Sequence, residues 1–304
     1  MKKRVLITGG SGLVGSRLTQ TLLNKNYEVS WLSRSGKSMP NVQGYRWNIA
    51  DNYIEKGALE NVDTIIHLAG EGIADKRWTK NLKALIINSR VDTANLIFNY
   101  LQSNNLSIGS FISASGAGYY GYENGDKELI ETDKPGDDFV AEVVKLWEQA
   151  ANQFEVIGIR TVKLRTGVVL SEKGGAIEKM ALPIRWGVGS PLGSGNQHMS
   201  WIHINDLCSM MMYVMENEET TGVYNASAPT TTTNKELTQA LAKVLHRPLI
   251  FPNVPKWSLK LLLGEMHNII IGSNKMSSNK IVGEGFKFEY NDIDSAIESL
   301  LNRQ

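Results

Sequence analysis

Eight residues near the amino terminus, Thr8-Gly9-Gly10-Ser11-Gly12-Leu13-Val14-Gly15, have the spacing that lets a backbone approach a pyrophosphate. Glycine permits positive φ and close approach, and a helix starting behind the loop offers unpaired N–H groups and the positive end of its dipole. Val5-Leu6-Ile7 reads as a strand before the loop, and Leu13 to Asn24 as a helix after it. A tight turn without ligand is the plain alternative, and this strand-loop-helix context weighs against it. Gly9, Gly12, Leu13, Val14 and Gly15 are the expected cofactor contacts.

A second chemical signal ends the next strand, Val29 to Ser33. An NAD-preferring fold usually places Asp or Glu there, about twenty residues past the loop, to bond the ribose hydroxyls. Here the residues are Ser33-Arg34-Ser35, with Lys37 nearby. A guanidinium suits a 2′-phosphate, and no carboxylate stands beside it to repel one. NADP(H) is therefore the expected cofactor, against the alternative of a solvated turn that carries an arginine.

The elements that must position these groups follow a strand-helix alternation. Thr64 to Leu68, Ser110 to Ser113 and Val162 to Leu164 are further apolar strands, and Lys80 to Gln102 carries helical spacing. Strands apolar on both faces and separated by helices predict an α/β fold, a Rossmann-type doubly wound parallel sheet. After about Arg165 the texture changes: Gly187 to Gly195 is glycine-rich, and Thr230 to Gln304 carries its own helices. A helix near Asn205–Asn217 and a strand at Val223 to Asn225 look like late returns to the sheet. The expected division is a cofactor domain over 1–170, completed by about 203–228, and a smaller substrate-side lobe over 171–202 and 229–304.

A formal net charge of +1, with no long block of like charges, gives no reason to expect nucleic acid or an anionic membrane as partner. One cysteine, Cys208, leaves no internal disulfide and no cysteine-rich metal site. Val5-Leu6-Ile7 is too short for a signal peptide after Met1-Lys2-Lys3-Arg4, and no window is long enough to span a bilayer. A cytoplasmic protein with a small-molecule substrate is expected.

The chain resembles the extended short-chain dehydrogenases in Thr8-Gly9-x-x-Gly12-x-x-Gly15, His67-Leu68-Ala69-Gly70 and Phe111-Ile112-Ser113-Ala114-Ser115. Ser89-Arg90-Val91, Gly118-Tyr119-Tyr120-Gly121, Trp147-Glu148, Leu164 to Leu170, Pro191 to Gly195, Ser200 to His203 and Gly283 to Phe288 are similar to its atypical, epimerase-like branch. The resemblance implies that Leu68, Ala69 and Gly70 line the cofactor's path. Ser113 and Ala114 would edge the nicotinamide, and Arg165, ending a strand on the same rim, is a further expected cofactor contact. Ser115 matches the hydroxyl residue that bonds the reacting oxygen, although a strand-end hydroxyl can also satisfy local backbone.

Working members of that family carry Tyr and Lys four residues apart on one helix, Tyr moving the proton and Lys lowering its pKa. The corresponding helix, Asp138 to Glu148, has no tyrosine. The best alignment sets Phe139 and Val143 at the two positions, and a one-residue shift sets Val140 and Val144. Lys145 points to another face. Substitutes are Tyr119, Tyr120 and Tyr122, with Tyr120 the preferred partner of Ser115, against the alternative of an aromatic packing loop. Glu71, Arg77 and Arg90 fall on the expected substrate side, where surface ion pairing is the plainer role. The turn Gly193-Ser194-Gly195 and Trp201 should close the cleft from the smaller lobe, with His203 on the substrate side; His198 and His203 lack a metal-ligand partner set, so no metal site is expected. Two functions fit: an NADP(H)-dependent, epimerase-like oxidoreductase with a non-standard proton relay, acting on a small carbonyl or hydroxyl compound, including one like a nucleotide sugar, or a non-catalytic NADP(H)-binding sensor.

Overall fold

A computed structural model describes residues 2–301. In chain order, β1 (Arg4–Thr8) leads through the glycine loop into α1 (Leu13–Asn24), followed by β2 (Glu28–Ser33), β3 (Val42–Asn48), β4 (Tyr53–Ile54) and β5 (Thr64–His67). The long α2 (Lys80–Ser103), β6 (Ser110–Gly116), β7 (Glu123–Leu129), α3 (Phe139–Val156), β8 (Arg160–Thr166) and β9 (Val168–Leu170) come next. Then follow α4 (Ala176–Arg185), β10 (His198–Met199), β11 (Trp201–His203), α5 (Ile204–Glu216), β12 (Gly222–Ala226) and β13 (Thr232–Thr233). The chain closes with α6 (Asn234–Val244), α7 (Lys256–Leu263), α8 (His267–Ile271), β14 (Ser273–Met276), α9 (Asn279–Gly283) and α10 (Ile293–Leu301).

The main sheet runs β12-β8-β6-β5-β1-β2-β3-β4, parallel throughout except for the β3–β4 edge pair. The chain moves from β1 outward to β3, returns to β5, and moves outward the other way, so the strand order reverses between β1 and β5. Val5, Ile7, Ile66, Ile112 and Val162 face one layer with Leu18, Leu22 and α5. Leu6, Ile65 and Phe111 face the other with Leu96, Ile97 and Phe154. Burial on both faces explains the unbroken apolar runs that announce these strands. β3 lacks such a run because buried Val42, Gly44 and Trp47 are interspersed with outward Gln43 and Arg46, as suits a strand near an edge.

A second sheet runs β13-β10-β14-β7. It joins Glu123–Leu129, from within the expected cofactor domain, to Ser273–Met276 near the carboxyl end. In the other direction, Ile281, Phe286 and Phe288 complete the layer of the main core containing α5. Segments from either side of the expected boundaries thus pack together. Among the described residues no helix is long and apolar enough to cross a membrane.

Candidate active site

Strand order reverses where β1 ends at Thr8 and β5 at His67, and ligands of open α/β sheets bind beyond the strand ends at such a point. Gly9 has φ +70°, and a Cβ there would lie 3.0 Å from the Leu68 carbonyl. At Gly15 a Cβ would come within 2.3 Å of the Gly9 oxygen, so only glycine lets α1 start this close to the strand. The first turn of α1 has no side-chain cap and no acidic residue, which leaves its N–H groups and dipole for an anion. A cleft of about 310 Å³ opens above it. Gly9, Gly12, Leu13, Val14 and Gly15 line one side, and Leu68, Ala114 and Ser115 another.

Hydrogen bonds fix the strand ends beneath the cleft. The Thr8 hydroxyl accepts from the Leu68 and Ala69 N–H groups, each at 3.1 Å, and lies 2.9 Å from His67 Nδ1. With its acceptor capacity used, Thr8 donates to Nδ1, so the imidazole carries its proton on Nε2 and donates to Thr93 Oγ1 at 3.2 Å. Burial lowers the His67 pKa to about 4, with the Arg90 charge adding to the effect, and the ring is neutral. Ala69 and Gly70 lie outside the cleft lining.

At the end of β2, Ser33 Oγ accepts from Gly36 N–H at 3.2 Å, and Ser35 Oγ from Lys37 N–H at 3.3 Å. These bonds shape a turn that presents Arg34 to solvent. No hydrogen bond or ion pair among the described residues engages its guanidinium.

A larger cavity of about 950 Å³ adjoins the cleft, and the two share Leu13, Val14, Thr166, Gly167 and Val169. Gly116, Ala117 and Gly118 border it after β6, and a Val140 methyl lies 2.2 Å from where a Cβ of Gly118 would stand. The wall from α3 is Val140, Val143, Val144 and Trp147. Phe139 instead packs edge-on against Trp78, with centroids 4.8 Å apart. Asp138 starts this helix by accepting from the N–H groups of Val140 and Ala141, which fixes the valine face toward the cavity.

Polar side chains on the wall include Arg90, Tyr122, Lys179, His198, Asn234 and Asn274, although most of its surface is apolar. Arg90 lies 4.9 Å from the Trp147 ring centroid and donates to the Ile86 carbonyl at 2.8 Å. Burial lowers its pKa to about 10, against the opposing pull of Glu71. Lys179 pairs with Asp75 at 3.0 Å, and His198 Nε2 lies 3.0 Å from Asp126. Tyr122 Oη, Trp147 Nε1 and His198 Nδ1 are buried and have no hydrogen-bond partner among the described residues. Burial, with Asp138 and Glu265 nearby, raises the Tyr122 pKa, so its phenol keeps its proton. Three orphaned polar atoms belonging to one cavity's wall fit a site that holds a ligand.

Ser115 lines the cleft, and its hydroxyl donates to Glu148 Oε1 at 2.6 Å. The same carboxylate accepts from Arg165 Nε and Nη2, both at 2.9 Å. Tyr120 is buried, and its hydroxyl bonds Asn225 at 2.7 Å while accepting from Arg165 at 3.1 Å. Burial pushes its pKa up to about 12 despite Arg165. Tyr120 and Arg165 line neither cavity, so the preferred proton donor and an expected cofactor contact are instead members of a buried clamp across β6, β8, β12 and α3. Tyr119 belongs to the same clamp, with the Arg165 guanidinium 3.3 Å from its ring centroid.

The other expected residues fall outside the lining as well. Ser113 turns its hydroxyl to the Ala114 carbonyl at 2.9 Å. Glu71 lies beside the cavity, its N–H held by Ser89 Oγ at 2.9 Å. Arg77 is exposed and packs over Gly264. Trp201 is fully buried beneath the smaller lobe. His203 caps α5 and stacks on Tyr290 with centroids 3.8 Å apart. Sequence reasoning missed Glu148 and Asn225 as members of the clamp, although the Trp147-Glu148 pair was a family signal that could have drawn attention to the helix face.

Residues 5–227 match the model of the NAD dependent epimerase/dehydratase family, and residues 254–300 match a domain of unknown function, DUF1731. An epimerase family protein of Staphylococcus aureus strain MRSA252 is 34% identical, covering 99% of this chain and all of that protein. The crystal structure of the human epimerase family protein SDR39U1 (isoform 2) with NADPH superposes with TM-score 0.87 at 29% identity, covering 99% of this chain and 100% of that chain. A nucleoside-diphosphate sugar epimerase from Corynebacterium glutamicum gives TM-score 0.80 at 29% identity, covering 99% of this chain and 58% of that one. The strand order, the glycine cleft at its reversal and these likenesses over nearly the whole of this chain agree: the chain belongs to the NAD dependent epimerase/dehydratase family, in the atypical, epimerase-like branch of the extended short-chain dehydrogenases.

Proposed function

We propose that the protein is an NADP(H)-dependent oxidoreductase that acts on a small carbonyl or hydroxyl compound held in the larger cavity. The carrying observation is the continuity of the dinucleotide cleft with that cavity through Leu13, Val14, Thr166, Gly167 and Val169. Gly9, Gly12 and Gly15, with the N–H groups opening α1, would hold the pyrophosphate. Ser33, Arg34 and Ser35 would hold the 2′-phosphate, a reading supported by the NADPH in the human relative. When bound, the cofactor supplies or accepts a hydride. Residues 1–170 with about 203–228 then form the cofactor side, and 171–202 with 229–304 the substrate side.

The proton needs another route, because the α3 residues on the wall are three valines and a tryptophan. Val140 and Val144, four residues apart, occupy the face that a Tyr-Lys pair would use. The Ser115 hydroxyl already donates its hydrogen bond to Glu148, so toward a ligand it acts as an acceptor. Tyr122 has an unspent O–H on the wall and is the donor we assign to the reacting oxygen. Carbonyl compounds should be screened with NADPH deuterated at C4, and deuterium should appear on the product carbon. Tyr122→Phe should then lower kcat about a hundredfold and leave NADPH affinity unchanged.

The three valines also favour a second reading, a sensor that binds NADP(H) without turnover. It predicts no deuterium transfer to any carbonyl class, together with a difference in hydrogen exchange between the NADPH- and NADP⁺-bound protein.

A further inference from the structure

The substrate cavity of the reading above has a composition that nucleotide sugars do not match. A nucleoside diphosphate sugar brings two phosphates and a ring of hydroxyls, which need several cations and many hydrogen-bonding partners. Most of this wall is apolar: Val140, Val143 and Val144 from α3 face Met180 from α4, Met199 from β10 and Leu263 from α7. Lys179 is already paired with Asp75, and His198 is held by Asp126.

Arg90 differs from both. It lines the cavity, stacks against Trp147 and spends one donor on the Ile86 carbonyl. Nε and Nη2 have no hydrogen-bond partner among the described residues, and no carboxylate there comes within 4 Å of its nitrogens. Glu71 is the acidic neighbour that it senses, without contact. A largely buried guanidinium with free donors, on a mostly apolar wall, is complementary to one anionic group attached to an apolar body. The apolar character continues outward, because Leu182 and Trp186 of the α4 end and Leu261 and Leu262 of α7 are exposed beside lining residues of the same segments.

We propose that the substrate is an apolar molecule with a single anionic head, a carboxylate or phosphate monoester, and that Arg90 is the receptor for that head. The proposal rests on the cavity being the substrate site, and its test separates the two ideas. NADPH-saturated protein is titrated by calorimetry with dodecanoate, dodecyl phosphate, dodecan-1-ol and UDP-glucose, all below the micelle concentrations of the amphiphiles. At least one of the two anions should bind about tenfold or more tightly than the alcohol, and the tighter one identifies the head group. UDP-glucose should bind more weakly than either. Arg90→Gln should bring both anions to the level of the alcohol while NADPH affinity holds. If that variant does not fold, Arg90→Lys should keep part of the anion preference.

Equal affinity for anions and alcohol, or tighter binding of UDP-glucose, overturns the substrate class. An equal loss of NADPH affinity in Arg90→Gln assigns the arginine to the cofactor and overturns its role as receptor. Deuterium transfer to a neutral carbonyl compound, with no anion preference, would defeat this inference and leave the oxidoreductase intact.

Discussion

His67 occupies a place where a charge cannot be kept. It is fully buried, held by Thr8 and Thr93 and stacked on Phe111, and its pKa falls from the ordinary 6.5 to about 4. Below pH 6.5 the unfolded chain takes up a proton that the native ring refuses, so the native state loses stability as pH falls, until it too protonates near 4. The contribution is full above pH 6.5, and about 3 kcal/mol is lost across this window. Urea unfolding from pH 7.5 to 4.5 should show the decline, and His67→Gln should flatten it; a slope unchanged by that variant would assign the effect to other groups. Arg34 permits a second prediction at this scale. NADPH should bind more tightly than NADH by about 1.5–3 kcal/mol, and Arg34→Asp should erase or reverse the preference at matched salt. Equal affinities in the unmodified protein would remove Arg34 from the site. The glycine turn between β1 and α1 was readable from sequence because its signal is local. Tyr120 and Arg165 were not, because their partners Asn225 and Glu148 are set by strand and helix pairings that sequence spacing does not reveal.

At the scale of elements, α3 decides what the cavity can do. Its start is fixed by Asp138, whose carboxylate accepts two N–H bonds. Phe139 packs outward on Trp78, while Val140, Val143 and Val144 line the wall. Asp138→Ala should cost about 1 kcal/mol in urea unfolding, and Asp138→Asn much less, since asparagine caps nearly as well. Similar losses from both would show that the cap contributes through its charge alone. Periodicity revealed the buried strands and the long helices, whose patterns repeat over many residues. It did not reveal β3, whose outward residues are polar, or β7, whose strand partner lies near the far end of the chain.

On the scale of the whole molecule, the carboxyl-terminal region is part of the main sheet's own core. Phe286 and Phe288 sit edge to face, 4.9 Å between centroids, and pack with Ile281 in the layer that contains α1 and α5. Just beyond them, the Asp206 carboxylate on α5 accepts from the N–H groups of Glu289 at 2.9 Å and Tyr290 at 3.0 Å. The strand pair β7–β14 ties the two regions together a second time. Neither region can therefore open without exposing apolar surface of the other, and the chain should unfold in one cooperative step. Phe286→Ala removes a ring from a core that has little room to collapse, and should cost about 3 kcal/mol or more. That loss should appear equally in near-ultraviolet dichroism, which reports tertiary packing everywhere, and in NADPH protection against thermal unfolding, which reports the cleft. Two separated transitions, with Phe286→Ala moving only one and the cleft unaffected, would show that the carboxyl-terminal region is an appended unit. A single transition that shifts as a whole would mean that the carboxyl-terminal region and the main sheet fold together.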